Sequence, residues 1–219
     1  MSITQEFILP KRINLIGLLG KARAGKDTIA TYINAHYSNA YTEYFAGPLK
    51  SAASTAFGIP DIHFYSSALK EVTDSYWNVS PRMIAQFMGT EMFRDTLSSL
   101  IPDIGNNFWV RRLHGKLSGE LLLDGDGEYE DGDTVCVADL RFQNEYNWII
   151  SNGGIIIEVT REGADGSVGI ANHPSENGIT MVQQGVHFDV TNNSSFGDLY
   201  NQIDTILKNQ KQFEISLKS

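Results

Sequence analysis

The 219-residue chain is long enough for one α/β domain with insertions, burying roughly 70% of its unfolded surface. With 42% hydrophobic and 20% charged residues it has the make-up of a globular protein, which excludes a disordered chain. A net charge of -9, from 26 acidic and 17 basic side chains, repels a polyanion and argues against non-specific nucleic-acid binding, while a phosphate site needs only a few local donors.

Residues 13–19 (INLIGLL) form a nearly all-apolar run, as expected for a strand covered on both faces. A glycine-bearing loop follows, then a helix over 27–37 with Ile29, Ala30 and Ile33 inward. Residues 41–45 suggest a second strand, and Pro48 suits the first turn of a helix reaching Phe57. Residues 58–80 are irregular. Ser80-Pro81 reads as an N-cap followed by proline, opening a helix with Met83, Ile84, Phe87 and Met88 on one side and an end near Gly89. Another helix is expected over 108–117, and residues 124–133 (DGDGEYEDGD) make an acidic, glycine-rich loop. Its spacing departs from a calcium loop, with Tyr129 where glycine belongs and Val135 where glutamate does.

A second buried strand covers 134–140, a helix 143–151, and a third strand 155–159. Cys136, the only cysteine, falls in the second of these and reads as a core residue. Residues 161–180 are glycine-rich without a period, 186–190 suggest a last strand, and 196–208 is an amphipathic closing helix. Strands alternating with helices predict a doubly wound, mainly parallel sheet of five strands. No apolar stretch reaches the 18 or so residues of a membrane span, and the N-terminal residues lack a signal-peptide order, so the cytoplasm is the expected location.

The most specific local pattern is Gly20-Lys21-Ala22-Arg23-Ala24-Gly25-Lys26-Asp27-Thr28, a G-x-x-x-x-G-K run between the first strand and the first helix. Glycines there let backbone N–H groups converge on phosphate oxygens, and the helix N-terminus adds favourable partial charge. Lys26 would reach the outer phosphates. Asp27 stands where the pattern usually has a Ser or Thr magnesium ligand, so Thr28 or Asp27 is left to hold Mg²⁺.

Further segments accompany this loop. They are Phe45-Ala46-Gly47-Pro48-Leu49-Lys50, Pro81-Arg82 with Gln86 and Gly89-Thr90-Glu91, Phe108-Trp109-Val110, and Asp139-Leu140-Arg141-Phe142-Gln143-Asn144-Glu145. In this order they resemble the deoxynucleoside monophosphate kinases of tailed bacteriophages, of the T-even type, over most of the chain. The resemblance implies a P-loop nucleoside-monophosphate-kinase fold as one domain. Its core would span 11–57 and 134–210, with a helical acceptor-binding insertion over about 58–123 and a lid over about 161–180. It implies ATP and Mg²⁺ as cosubstrates and a deoxynucleoside monophosphate as acceptor, in the host cytoplasm if the chain is phage-encoded. Small molecules would be its partners, with no nucleic acid or membrane, and a homodimer stays open.

By matching motif, Gly20, Ala24, Gly25, Lys26, Asp27 and Thr28 would hold ATP. Arg23 would face the transferring group or the acceptor phosphate. Lys50, Arg82, Gln86, Gly89, Thr90, Trp109, Asp139 and Arg141 would form the acceptor site. Planar guanidiniums such as Arg82 and Arg141 suit a dianionic phosphate. Trp109 offers a flat surface for a base or a core contact. Asp139 ends a buried strand, at the edge where open α/β sheets bind ligands. Arg82 and Arg94 could equally be solvated helix charges. Arg161, at the start of the lid, could steady charge in the transition state; His173 in the same segment is given no catalytic role. A kinase of another small metabolite on the same scaffold, or a non-catalytic nucleotide-binding module, remains compatible with the loop.

Overall fold

The computed structural model describes residues 7–66, 68–102, 104–121, 128–164, 185–210, 213 and 216–218. The expected lid therefore lies outside the described residues from 165 to 180, His173 with it. The described chain divides into two compact units, one of residues 7–45, 110–164 and 185–218, the other of residues 46–109. The second unit begins and ends earlier than the insertion expected over 58–123.

The first unit is built on a five-stranded, wholly parallel sheet: β1 (Asn14–Leu19), β2 (Ala40–Glu43), β3 (Thr134–Val137), β4 (Ile155–Thr160) and β5 (Val186–Thr191), in the order β2-β3-β1-β4-β5. Every residue of β1 is buried because it lies at the centre of the sheet, which is why its sequence is apolar without alternation. Helices α1 (Lys26–His36), α6 (Gln143–Ser151) and α7 (Phe196–Lys208) supply the covers that parallel strands require. Ile29, Ala30 and Ile33 of α1 and Leu199, Ile203 and Leu207 of α7 join Ile16, Leu18, Cys136, Ile157, Val159 and Val190 in one core. Helix α5 (Phe108–Ser118) is fastened to β2 by Lys116, whose ammonium lies 2.7 Å from Glu43. At the start of α6 no hydroxyl caps the helix; instead Glu145 reaches back to accept from the Arg141 and Phe142 N–H groups at 2.9 and 3.0 Å.

The second unit carries α2 (Leu49–Phe57), the short α3 (Ile62–Tyr65) and α4 (Pro81–Phe87). Ser80 caps α4 as its sequence predicts, accepting from Met83 N–H at 3.3 Å. Beyond Phe87 the chain does not stop at Gly89. It continues as a π-helical stretch, Met88–Thr96, whose wider turns shift which residues face inward. Already within α4 and at the residue after it, Ile84 and Met88 are buried, whereas Met83 and Phe87 are exposed, a correction to the four-residue apolar face. Arg94 is buried and donates to the Asn106 carbonyl at 2.9 Å rather than standing in solvent.

Helices α1 and α7 are joined through one carboxylate. Asp204 on α7 accepts from the Tyr37 hydroxyl at 2.7 Å and the Tyr32 hydroxyl at 3.0 Å, and the Tyr32 ring stacks on Tyr200 with centroids 4.0 Å apart. Burial, then the hydrogen bond to Asp204 and its charge, pushes the Tyr32 phenol from 10.0 up to about 12 and raises Tyr37 too. Burial opposes the Asp204 charge, but the Tyr37 and Tyr32 hydroxyls and Lys208 outweigh it and hold that carboxyl below its usual range.

Tyr32, with its folded pKa raised, adds stability that is full below pH 10.0 and is lost as pH climbs towards about 12. Asp204, with its folded pKa lowered, adds stability present above 3.8 and lost as pH falls through the lower folded value. Tyr37→Phe is expected to lower unfolding free energy by about 1–2 kcal/mol at neutral pH. Tyr32→Phe should flatten the alkaline loss of stability; urea-unfolding midpoints across pH check both.

Candidate functional site

In the order β2-β3-β1-β4-β5 the chain moves from β1 to one side of the sheet, then crosses back to the other. The C-terminal end of β1 is thus the switch point, where open α/β sheets form a ligand crevice. The glycine loop leaves the sheet there. Gly20 has φ 145°, and a Cβ on it would strike the carbonyl oxygen of Val159 on β4. Gly25 has φ 112° and a Cβ there would strike the amide of Asn192. Between them Arg23 sits in the left-handed region at φ 64°, its side chain exposed while Ala24 beside it is buried.

Asn192 follows β5 and is nearly buried. Its amide donates to the Ala24 carbonyl at 2.8 Å, while its own backbone N–H donates to Thr160 O at 2.8 Å. The residue clamps the loop from below. Sequence reasoning missed it because nothing local marks an asparagine after a terminal strand; only a partner 168 positions away gives it meaning.

Helix α1 starts at Lys26 behind Gly25, and no side chain caps it. Its first N–H groups are therefore not claimed by a cap, the arrangement that binds anions at helix N-termini. The Lys26 ammonium arches back over the loop, donating to Gly20 O at 2.7 Å and Lys21 O at 2.9 Å. Asp27 is exposed and Thr28 half-buried in the same first turn.

Arg23 and Arg161 line one hollow of about 270 Å³ with Glu162, Gly163 and Ala164. Both guanidiniums are exposed, and among the described residues neither makes an ion pair. Glu162 brings a carboxylate to the same lining, so the two cations leave it with a net positive charge on an acidic protein. A larger hollow of about 370 Å³ lies against α7, lined by Asp189, Asn201, Gln202, Thr205 and Ile206. It has no cationic lining residue, so it does not suit a phosphate.

At the end of β3, Asp139 accepts the Phe45 N–H at 2.8 Å, tying the ends of β2 and β3 together. Strand β3 stops at Val137, short of the expected 140, because the chain turns here to present Asp139. Burial, followed by the nearby charges of Asp27 and Asp139, raises the Tyr44 phenol. One hydroxyl thus feels both the loop carboxylate and the β3 carboxylate. Arg141 is exposed, its backbone fixed by Glu145.

Within the second unit, Arg82 pairs with Glu71 at 2.6 Å, and the Lys50 ammonium lies 4.5 Å from the centre of the Tyr65 ring. Gln86 and Thr90 are buried. Trp109 is 3% exposed, packed against Phe93 and Phe108, and its indole N–H donates to Gly89 O at 2.8 Å. Of the two readings of Trp109, base contact and core contact, this burial favours the second. Trp109 is a packing residue that fixes Gly89, because π-helical winding brings that carbonyl to the indole.

No protein-family model matches the chain. It is 30% identical over 202 residues to a protein of Acanthamoeba polyphaga mimivirus named "Putative deoxynucleotide monophosphate kinase", the match covering 90% of this chain and 98% of that protein. The match runs over nearly the full length of both chains. The chain accordingly belongs to the deoxynucleotide monophosphate kinase family, and is a phosphotransferase of the kinase class.

Proposed function

We propose that the protein transfers the γ-phosphate of ATP to the 5′-phosphate of a deoxynucleoside monophosphate, giving the diphosphate. The observation that carries this reading is the cationic hollow of Arg23 and Arg161, neither ion-paired among the described residues, with Arg23 drawn from the loop that opens the uncapped α1. Two arginines against the one carboxylate of Glu162 leave this lining with net positive charge, which suits an anion.

Backbone N–H groups from Gly20 to Thr28 receive the ATP phosphates, with Lys26 leaving its loop carbonyls to meet them. An oxygen of the acceptor phosphate attacks the γ-phosphorus, and the bond to the β,γ-bridging oxygen breaks to release ADP. No general base is required, since the attacking oxygen is already anionic. Lys26, Arg23 and Arg161 offset the charge spread over the transferring group. The family motif assigns the acceptor to Lys50, Arg82, Gln86, Gly89 and Thr90 of the second unit and to Asp139 and Arg141 of the first, and Trp109 keeps Gly89 in place.

The oxygen donors in the first turn of α1, Asp27 and Thr28, suit a hard divalent ion. These residues would hold Mg²⁺, which supplies neutralisation of the β- and γ-phosphate charge.

The deciding experiment measures ADP release from ATP in the presence of each deoxynucleoside and ribonucleoside monophosphate. Turnover should depend on a deoxynucleoside monophosphate; ADP release that ignores every monophosphate would remove the proposal. Lys26→Met, Arg23→Ala and Arg161→Ala should each lower kcat by about 10²–10³-fold with the circular dichroism unchanged. Asn192→Ala, which frees the loop without touching substrate, should cost activity on the order of 10²-fold through misplaced N–H groups, and its thermal midpoint should fall as well.

A further inference from the structure

The β4–β5 ladder carries a cluster that phosphoryl transfer does not use. Glu158 pairs with Asp189, and Ile156 with His187. Alternate residues point to opposite faces, so while Ile157, Val159 and Val190 enter the core with α1 and α7, Glu158 and His187 lie on the other face, and the exposed Asp189 of the edge strand, which also borders the hollow beside α7, brings a carboxylate oxygen to them. There Nε2 of His187 lies 3.2 Å from Glu158 Oε2 and 3.6 Å from Asp189 Oδ1. One donor atom from each residue can be chosen so that all three lie within 4.8 Å of one another. The His187 side chain is 7% exposed, and neither of its ring nitrogens makes a hydrogen bond among the described residues. A buried nitrogen left in that state calls for a ligand.

We propose that Glu158, His187 and Asp189 form a binding site for a divalent transition-metal ion of the zinc type, with water completing the shell. Ligands at about 2.0–2.2 Å from a tetrahedral ion stand roughly 3.3–3.6 Å apart. Both separations measured from Nε2 lie close to that edge, although the Glu158 contact lacks the alignment of a hydrogen bond. One imidazole with two carboxylates selects zinc, manganese or iron over magnesium, which avoids nitrogen. This ion is therefore distinct from the magnesium that accompanies ATP. Its place gives it a purpose. Glu158 precedes Arg161 by three residues, and Asp189 precedes Asn192 by three. An ion bridging them clips together the two strands whose ends supply one wall of the cationic hollow and the clamp beneath the loop.

The test titrates Zn²⁺ alone into the full, untagged chain by calorimetry, with Mg²⁺ as the control. One Zn²⁺ should bind, and the thermal midpoint should rise with Zn²⁺ and not with Mg²⁺. His187→Gln should weaken binding by more than about tenfold, the scale produced by loss of even an outer-shell partner. The near-isosteric Glu158→Gln and Asp189→Asn should do the same, and they decide the matter if His187→Gln does not fold. Absence of Zn²⁺ binding, or equal affinity in wild type and these variants, would overturn the site and leave only an imidazole between two carboxylates.

Discussion

Bare backbone pressed against neighbouring strands is what holds the loop between β1 and α1. Gly20 lies against the Val159 carbonyl and Gly25 against the Asn192 amide, both too close for any side chain. Positive φ at these glycines and at Arg23 bends the chain sharply between β1 and α1 and leaves the Arg23 side chain exposed. The same two contacts fix where α1 begins, and hence the direction in which its uncapped N-terminus points. Every functional group drawn from the loop inherits its position from them.

Both supports come from strands far along the chain, so the loop cannot take its shape before the sheet is complete. The support also has a support. Gln202 on α7 accepts from the Thr191 N–H at 3.1 Å and donates to the Thr191 carbonyl at 3.0 Å, holding the residue just before Asn192. Helix α7 is in turn fixed to α1 by Asp204 and its two tyrosines. A closed circuit results: α1 to α7, α7 to the end of β5, and β5 back to the turn that starts α1. Polar contacts at the surface of the core thereby set the geometry that apolar packing leaves loose.

The strands and most helices were legible in the sequence because burial on both faces leaves runs such as 13–19 and 155–159 with few alternatives, and because Ser80-Pro81 and the Gln143–Ser151 segment carry local boundary signals. The loop was legible for a related reason: its glycines answer a backbone constraint that sequence spacing records directly. What escaped was set by distant partners. Gly89 looked like a helix stop, yet the chain winds on as a π-helix in which Arg94 is buried, and within α4 itself the surroundings leave Met83 and Phe87 exposed. Asn192 and the Glu158, His187 and Asp189 cluster depend on strand register, which no single segment encodes. Trp109 was ambiguous by nature, since a large indole serves packing and stacking equally well until its surroundings are known.

Charge is the last element the circuit explains. The chain carries -9 overall, so its long-range field disfavours a nucleotide, and binding must be won within the first few ångströms. Screening makes that feasible: beyond about 8 Å at physiological salt the acidic surface loses most of its effect. Inside that distance Arg23 and Arg161, which line one hollow, outnumber the Glu162 carboxylate beside them. Their convergence is not a property of the side chains, which are long and repel one another. It is imposed by the left-handed turn at Arg23 and by the end of β4 at Arg161, two backbone positions that the sheet places beside the same hollow. The backbone thus holds side by side two cations that free side chains would keep apart.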